Sequence, residues 1–307
     1  MKISKYTSLV RIYLIKEFKK FRKHLIHPKW LKIMMYPLPL KALNWFFPHS
    51  DANIVYALNK MRKMVNEGTL DYHPVKKDVG YFSFIIDKNK PFVLIAPGGG
   101  YQVVCPLIEG FPIAVRLNEL GYNAFVCDYS VGKNAKYPQP MADMATFYKD
   151  ICQKYGLENE EYAICGFSAG GHIAGTLGLE EIGYKKYGMK KPSFLMLCYP
   201  VITMGDKTHK GSRLMLLGKN PTKEDIDKLS IEKNVDKNYP KTYIWQCKGD
   251  TVVDYTNSLL INDALDKVGV AHKMELFDDK HHGLGLANKS PAERWLDRAI
   301  NFWNEKI

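Results

Sequence analysis

Gly166-Phe167-Ser168-Ala169-Gly170 is the stretch that most restricts the folds open to this chain. It follows a short apolar run, Glu161-Tyr162-Ala163-Ile164-Cys165, with the length and flanks of a buried strand. It precedes a small-residue segment, Gly171-His172-Ile173-Ala174-Gly175-Thr176-Leu177, that reads as a helix packed close to a sheet. Strand, tight turn and helix in seventeen residues leave no room for a side chain at the turn's edges, so Gly166 and Gly170 are needed where a Cβ would meet the neighbouring strand or helix. On its own the pattern has two readings. One is a glycine-rich turn before a packed helix; the other is a turn strained so that the Ser168 hydroxyl is pushed clear of it.

Three further pieces favour the second reading. Pro97-Gly98-Gly99-Gly100-Tyr101 follows the apolar strand Phe92-Val93-Leu94-Ile95-Ala96, and three glycines in a row let backbone N–H groups face a site without obstruction. Gly249-Asp250 follows the strand-like Thr242-Tyr243-Ile244-Trp245-Gln246-Cys247, and His282-Gly283 follows Lys273-Met274-Glu275-Leu276-Phe277. Glycine loop, serine, acid and histidine, each at the carboxyl end of a strand, come in the order of an α/β-hydrolase. The expected fold class is α/β, a mostly parallel central sheet with helices on both faces.

Charge separates the chain into two parts. The net charge is +12, but residues 1–41 carry eleven Lys or Arg against the single acid Glu17, leaving 33 basic and 31 acidic residues for positions 42–307. A nearly neutral body argues against nucleic acid as a partner and confines the question of anionic partners to the N-terminal segment. There, Leu9, Val10, Ile12, Tyr13, Leu14, Ile15, Phe18, Phe21, Leu25 and Ile26 alternate with Arg11, Lys16, Lys19, Lys20, Arg22 and Lys23, a mixed helical pattern with a basic side. The run is too short and too interrupted for a membrane span or a secretory signal. Two readings stay open: a helical extension lying on the domain, or an interfacial helix making peripheral membrane contact through residues 1–41.

The six cysteines show neither a C-x-x-C pair nor metal spacing, and four of them fall in apolar strand-like runs, which points to reduced thiols in a cytoplasmic protein. The nine histidines do not cluster as ligands, so neither a metal nor a cofactor is expected.

The βα rhythm runs as follows: a strand at 81–86, a strand at 92–96, a helix at 113–120, a strand at 123–129, a helix at 141–155, the turn-bearing strand and its helix, a strand at 194–199, strands at 242–247 and 273–277 flanking a helix at 257–268, and a last helix at 292–303. The polar, Lys-rich stretch 204–239, with a capped helix start at Thr222-Lys223-Glu224-Asp225, is an insertion expected to cap the site or to lie as a solvated surface pair. The expected organisation is a basic amphipathic extension over 1–50 and one domain over 51–307 that contains this cap.

The roles follow from the chemistry. Ser168 is the nucleophile that forms an acyl-enzyme, His282 takes its proton and returns it to the leaving alcohol, and Asp250 orients the imidazole. The oxyanion is met by the N–H groups of Ala169, Gly99 and Gly100, aided by the helix that starts beside Ser168. Competitors remain at each position. Asp254, Asp278 and Asp279 compete with Asp250, and His281 with His282. Gly249 marks the strand-end turn expected of the acid, and Gly283 leaves the His282 loop free to turn back. His172 and Asp128 read as structural residues.

The combination APGGGY, EGFPIAVRLNELGYNAFV, GFSAGGHIAG, HKGSRLMLLG, GDTVVDYTNSLL and HHGLGLA resembles the esterase/lipase-like α/β-hydrolases, near the carbohydrate acetyl esterases, from about residue 75 to the end. The resemblance implies a Ser168, Asp250 and His282 triad and an oxyanion loop at Gly98, Gly99 and Gly100. The chain departs from the family at Pro97, where many relatives carry His, and at Asp254, where a Pro often stands. The implied activity is cleavage of short acyl esters, acetyl esters of carbohydrates in first place, with a small-molecule ester as the substrate. A peptidase or thioesterase on the same triad, and a non-catalytic ligand-binding member of the fold, are the alternatives.

Overall fold

The structure is a computed structural model that describes residues 2–25 and 38–306. Ile26, part of the amphipathic pattern above, lies outside the described residues. Its body is a single sheet in the strand order β1-β2-β4-β3-β5-β6-β7-β8. The strands are β1 (Leu70–Lys76), β2 (Val79–Phe84), β3 (Phe92–Ala96), β4 (Asn123–Asp128), β5 (Tyr162–Phe167), β6 (Phe194–Cys198), β7 (Lys241–Cys247) and β8 (His272–Phe277). β1 and β2 form an antiparallel hairpin and β2 pairs antiparallel with β4; every other pairing is parallel. From β2 to β6 every strand residue is buried, as parallel strands covered on both faces require.

Alternate side chains divide the interior into two cores. Val93, Ile95, Cys165 and Phe167 face one; Phe92, Leu94, Ala96 and Ile164 face the other. The helices that cover them are α1 (Leu9–Tyr13), α2 (Ser50–Glu67), α3 (Pro106–Glu109), α4 (Phe111–Glu119), α5 (Gln139–Tyr155), α6 (Ala169–Gly178), α7 (Lys210–Leu217), α8 (Lys223–Leu229), α9 (Thr256–Val268) and α10 (Trp295–Asn304). The strands and helices read from the sequence recur with ends displaced by up to three residues. α2, α3 and β1 have no counterpart in that reading.

The N-terminal segment is not one helix. After the five residues of α1 it winds in 3₁₀ turns, and its apolar residues recur every three positions rather than every three or four. Ile15 N–H donates to Ile12 O, Phe18 to Ile15 and Phe21 to Phe18 at 3.1 Å each, and His24 to Phe21 at 2.9 Å. A three-residue period keeps Leu9, Ile12, Ile15, Phe18 and Phe21 on one side of such a winding, whereas on an α-helix it would drift around the axis. That side is buried in the first core together with Leu25, and Phe21 sits edge-to-face on Phe82 of β2 with ring centres 5.2 Å apart. Glu17, the only acid here, pairs with Arg62 of α2 at 2.6 Å. No helix among the described residues is long and apolar enough to cross a membrane.

Candidate active site

The carboxyl ends of β3, β5, β7 and β8 bring four loops to one place. β5 ends at Phe167, and Ser168 stands between it and α6 with φ 54° and ψ −120°, a backbone conformation that costs a non-glycine residue free energy. The flanking glycines are forced by contact. A Cβ on Gly170 would lie 2.0 Å from the Ala96 carbonyl oxygen, and one on Gly166 would lie 2.3 Å from the Gly170 carbonyl oxygen. The strained turn is held by bonds on both sides: Ser168 N–H donates to Cys198 O at 3.0 Å, and Val201 N–H donates to Ser168 O at 3.0 Å.

His282, in the loop after β8, has its Nε2 2.9 Å from Ser168 Oγ and its Nδ1 2.7 Å from Asp250 Oδ2. Asp250 also accepts from Val252 and Val253 N–H at 2.9 and 3.0 Å and from the Gln246 amide at 3.2 Å. A carboxylate with that many donors stays acceptor-only, so the proton on the imidazole is placed at Nδ1 and Nε2 is left to accept from the serine hydroxyl. The competitors are engaged elsewhere. Asp254 accepts from Thr256 N–H at the start of α9 and from Lys207, and Asp279 holds His281 at 2.6 Å.

The glycine loop lies against the serine: a Cβ on Gly98 would be 2.8 Å from Ser168 Cβ. Its first three carbonyls are taken. Pro97 O accepts from the Tyr129 hydroxyl, Gly98 O from Cys105 N–H at 3.1 Å, and Gly99 O from Gln102 and Val103 N–H at 3.0 and 3.2 Å. In a trans peptide the N–H points opposite to the C=O, so these bonds aim the Gly99 and Gly100 N–H groups away from the loop's own turns. Among the described residues neither group, nor Ala169 N–H at the start of α6, has a protein acceptor. Gly98 N–H, by contrast, donates to Glu109 Oε2 at 2.7 Å.

Three residues that the sequence reading did not single out complete the site. Glu109, at the end of α3, is buried, and burial raises its pKa above the ordinary carboxyl value. Its Oε1 accepts from the Tyr199 hydroxyl at 2.8 Å, and the Tyr199 ring stands edge-on to His282 with centres 4.8 Å apart. His209, the N-cap of α7, accepts from Ser212 N–H at Nδ1 (3.2 Å), which puts its own proton on Nε2. It lies over the loop, with its Cε1 3.4 Å from where a Gly100 Cβ would be, and its proton affinity is lowered by burial and then by the neighbouring His282. His172, by contrast, was expected to be structural, and the structure gives it two bonds. Nε2–H donates to Leu229 O at 2.7 Å and Nδ1 accepts from the Tyr101 hydroxyl at 2.8 Å, with burial pushing its pKa down to about 4. It ties the glycine loop, α6 and the end of α8 into one unit. No sequence motif marks Tyr199; Glu109 and His209 open the quoted stretches EGFPIAVRLNELGYNAFV and HKGSRLMLLG, but nothing in those stretches assigns either a role.

Known proteins share the fold and part of the sequence. Over 73% of its length the chain superposes on 85% of a crystal structure of an acetyl ester-xyloside bifunctional hydrolase from Caldicellulosiruptor lactoaceticus, with 30% identity and a TM-score of 0.63. A carboxylesterase, Cest-2923 from Lactobacillus plantarum, shares the fold at 23% identity and a TM-score of 0.61, over 72% of this chain and 86% of its own. In sequence it is 34% identical over 68% of its length to endo-1,4-beta-xylanase B of Butyrivibrio fibrisolvens, and 27% identical over 69% to the acetylxylan esterase of Xylanibacter ruminicola. The matches span 35% and 44% of those two proteins. The family model BD-FAE matches residues 81–265, more than half of the sequence, and with the eight-stranded, mostly parallel sheet this makes the chain a member of the BD-FAE family built on the α/β-hydrolase fold.

Proposed function

We propose that this protein is a serine carboxylic ester hydrolase that removes short acyl groups, acetyl in first place, from carbohydrates. The observation that carries the reading is the unbroken line from Ser168 Oγ through His282 to Asp250 beside three unpaired backbone N–H groups. Ser168 Oγ attacks the acyl carbon while its proton passes to His282 Nε2, and the carbonyl oxygen takes up negative charge facing Gly99, Gly100 and Ala169. The tetrahedral species collapses as the imidazolium gives its proton to the departing alkoxide, leaving an acyl-enzyme and a free alcohol. Water, deprotonated by the same nitrogen, then releases the acid. Asp250 offsets the imidazolium charge in both steps.

The carbohydrate part is supported by two similar proteins, one an acetylxylan esterase and one an acetyl ester-xyloside hydrolase. The test is hydrolysis of p-nitrophenyl acetate and longer acyl homologues, followed by acetylated xylo-oligosaccharides, by the wild type and by Ser168→Ala. Acetate cleaved well, long chains poorly and loss of essentially all turnover in the variant are expected. Equal activity in Ser168→Ala would remove the proposed nucleophile; cleavage of aryl acetate but of no sugar acetate would remove the carbohydrate substrate.

A further inference from the structure

We propose that Glu109 is a positioning residue: it locks the glycine loop in the form that leaves the Gly99 and Gly100 N–H groups free for an oxyanion, and through Tyr199 it links that loop to the imidazole of His282. The inference rests on the ester hydrolase reading above and concerns a carboxylate that the reaction itself does not consume.

The Pro97–Gly98 peptide is gripped at both of its polar atoms. Tyr129 donates to its oxygen and its N–H donates to Glu109 at 2.7 Å, so the plane cannot rotate without breaking one bond or the other. The next two peptides inherit that orientation, and a rotated plane here would turn a carbonyl toward the developing charge where a donor is needed. No Cβ could replace the glycine at the grip, because it would meet Glu109 Oε2 at 2.9 Å as well as Ser168 Cβ at 2.8 Å.

Burial raises the Glu109 pKa while His282 and the bonds from Tyr199 and Gly98 lower it, and between these the hydrogen-bond pattern favours the ionised form. Tyr199 oxygen accepts from Gly285 N–H at 3.1 Å, and its own hydroxyl proton has Glu109 Oε1 as its acceptor at 2.8 Å. With Gly98 N–H on Oε2, both carboxyl oxygens accept, which is the pattern of an ionised group. A protonated Glu109 would leave the Tyr199 proton without an acceptor in a buried place. Gly285 O in turn accepts from Trp295 Nε1 at 2.8 Å, which anchors the far end to α10. One buried anion therefore faces the back of the His282 loop: a Cβ on Gly283 would lie 3.9 Å from Glu109 Oε1. The other groups around the imidazole are Asp250 at Nδ1, Ser168 at Nε2, the Tyr199 ring and, across the site, His209.

The experiment is steady-state kinetics with p-nitrophenyl acetate across pH for wild type, Glu109→Gln and Tyr199→Phe, with fluorophosphonate labelling of each. Glu109→Gln keeps the shape and removes the charge. It should lower kcat by about 100-fold, the usual cost of a site loosened by an ångström, with KM within about twofold. It should also move the acidic limb of kcat/KM to lower pH, since imidazolium loses a neighbouring anion. Tyr199→Phe keeps the ring on His282 and cuts the link, so kcat should fall there too, by about tenfold. A folded Glu109→Gln with unchanged kcat and an unmoved limb overturns the inference, and so does full activity in Tyr199→Phe should the Gln variant not fold. Wild type that neither cleaves the ester nor takes the label would instead sink the hydrolase reading beneath it.

Discussion

Acidification should destabilise this fold through one buried side chain, His172. The perturbation is a proton that the folded state refuses. In the unfolded chain the imidazole takes it up near its ordinary value of 6.5, whereas in the folded protein burial among α6, Tyr101 and Leu229 holds uptake back to about 4. Between those two values the unfolded state binds more protons, so stability falls as pH falls. Each pH unit in the window removes up to 1.36 kcal/mol, and the whole window from 6.5 to 4 removes about 3 kcal/mol, a sizeable share of the roughly 5–15 kcal/mol that holds a domain together. His73 acts in the same direction, since burial and then Lys154 also push it down to about 4, so the wild-type slope alone does not isolate His172. A difference of differences does. Urea unfolding of wild type and His172→Gln, at neutral pH and near pH 4.5, gives two pH dependences in which His73 and the fixed cost of the substitution cancel. The wild type should lose about 2–3 kcal/mol more than the variant on acidification. Equal losses, within about 0.5 kcal/mol, would refute the claim that this imidazole is kept neutral by its surroundings.

Two further outcomes follow from the N-terminal winding. Phe21→Ala removes a fully buried ring stacked edge-on to Phe82 and should cost about 3–5 kcal/mol in denaturant unfolding, although the residue lies far from Ser168 in sequence; a loss under about 1 kcal/mol would mean that the segment is not part of the core. Leu9, Ile12, Ile15, Phe18 and Phe21 are turned inward and the outward face is mostly lysine and arginine, with Val10 and Leu14 among them, so co-sedimentation of the full chain with anionic vesicles should be mainly coulombic and fall steeply between about 0.05 and 0.5 M salt. Binding that survives high salt would point to inserted apolar side chains instead.

What could be read from the sequence depended on how local the physics was. The turn at Ser168 was legible because its strain forces glycine on both sides and its strand is fully buried, two constraints that are written within a dozen residues. The acid and the histidine were legible as strand ends, with Gly249 and Gly283 favouring Asp250 and His282; what the spacing does not announce is the bonds to Thr256, Lys207 and Asp279 that engage Asp254 and His281 elsewhere. Glu109 was illegible because its partners lie 11 and 90 positions away, and a buried acid looks in sequence like any glutamate near the end of a helical turn. β1 was hidden by Pro74, which argues against a strand unless the strand is an edge, as this one is. The N-terminal winding was misread because spacings of three and of three or four blur into each other over short stretches, and only the hydrogen bonds distinguish a 3₁₀ turn from an α-helical one.

That winding also sets the phase in which the segment can change. With an apolar side chain at every third position from Leu9 to Phe21, loss of one residue would swing every later anchor out toward water and bring a lysine or arginine in against β2. Loss of three consecutive residues would shorten the strap by one turn and restore the phase of all that follow. The strap can therefore lengthen or shorten only in triplets, a unit of variation that neither the sheet, with its alternation of two, nor the helices around it share.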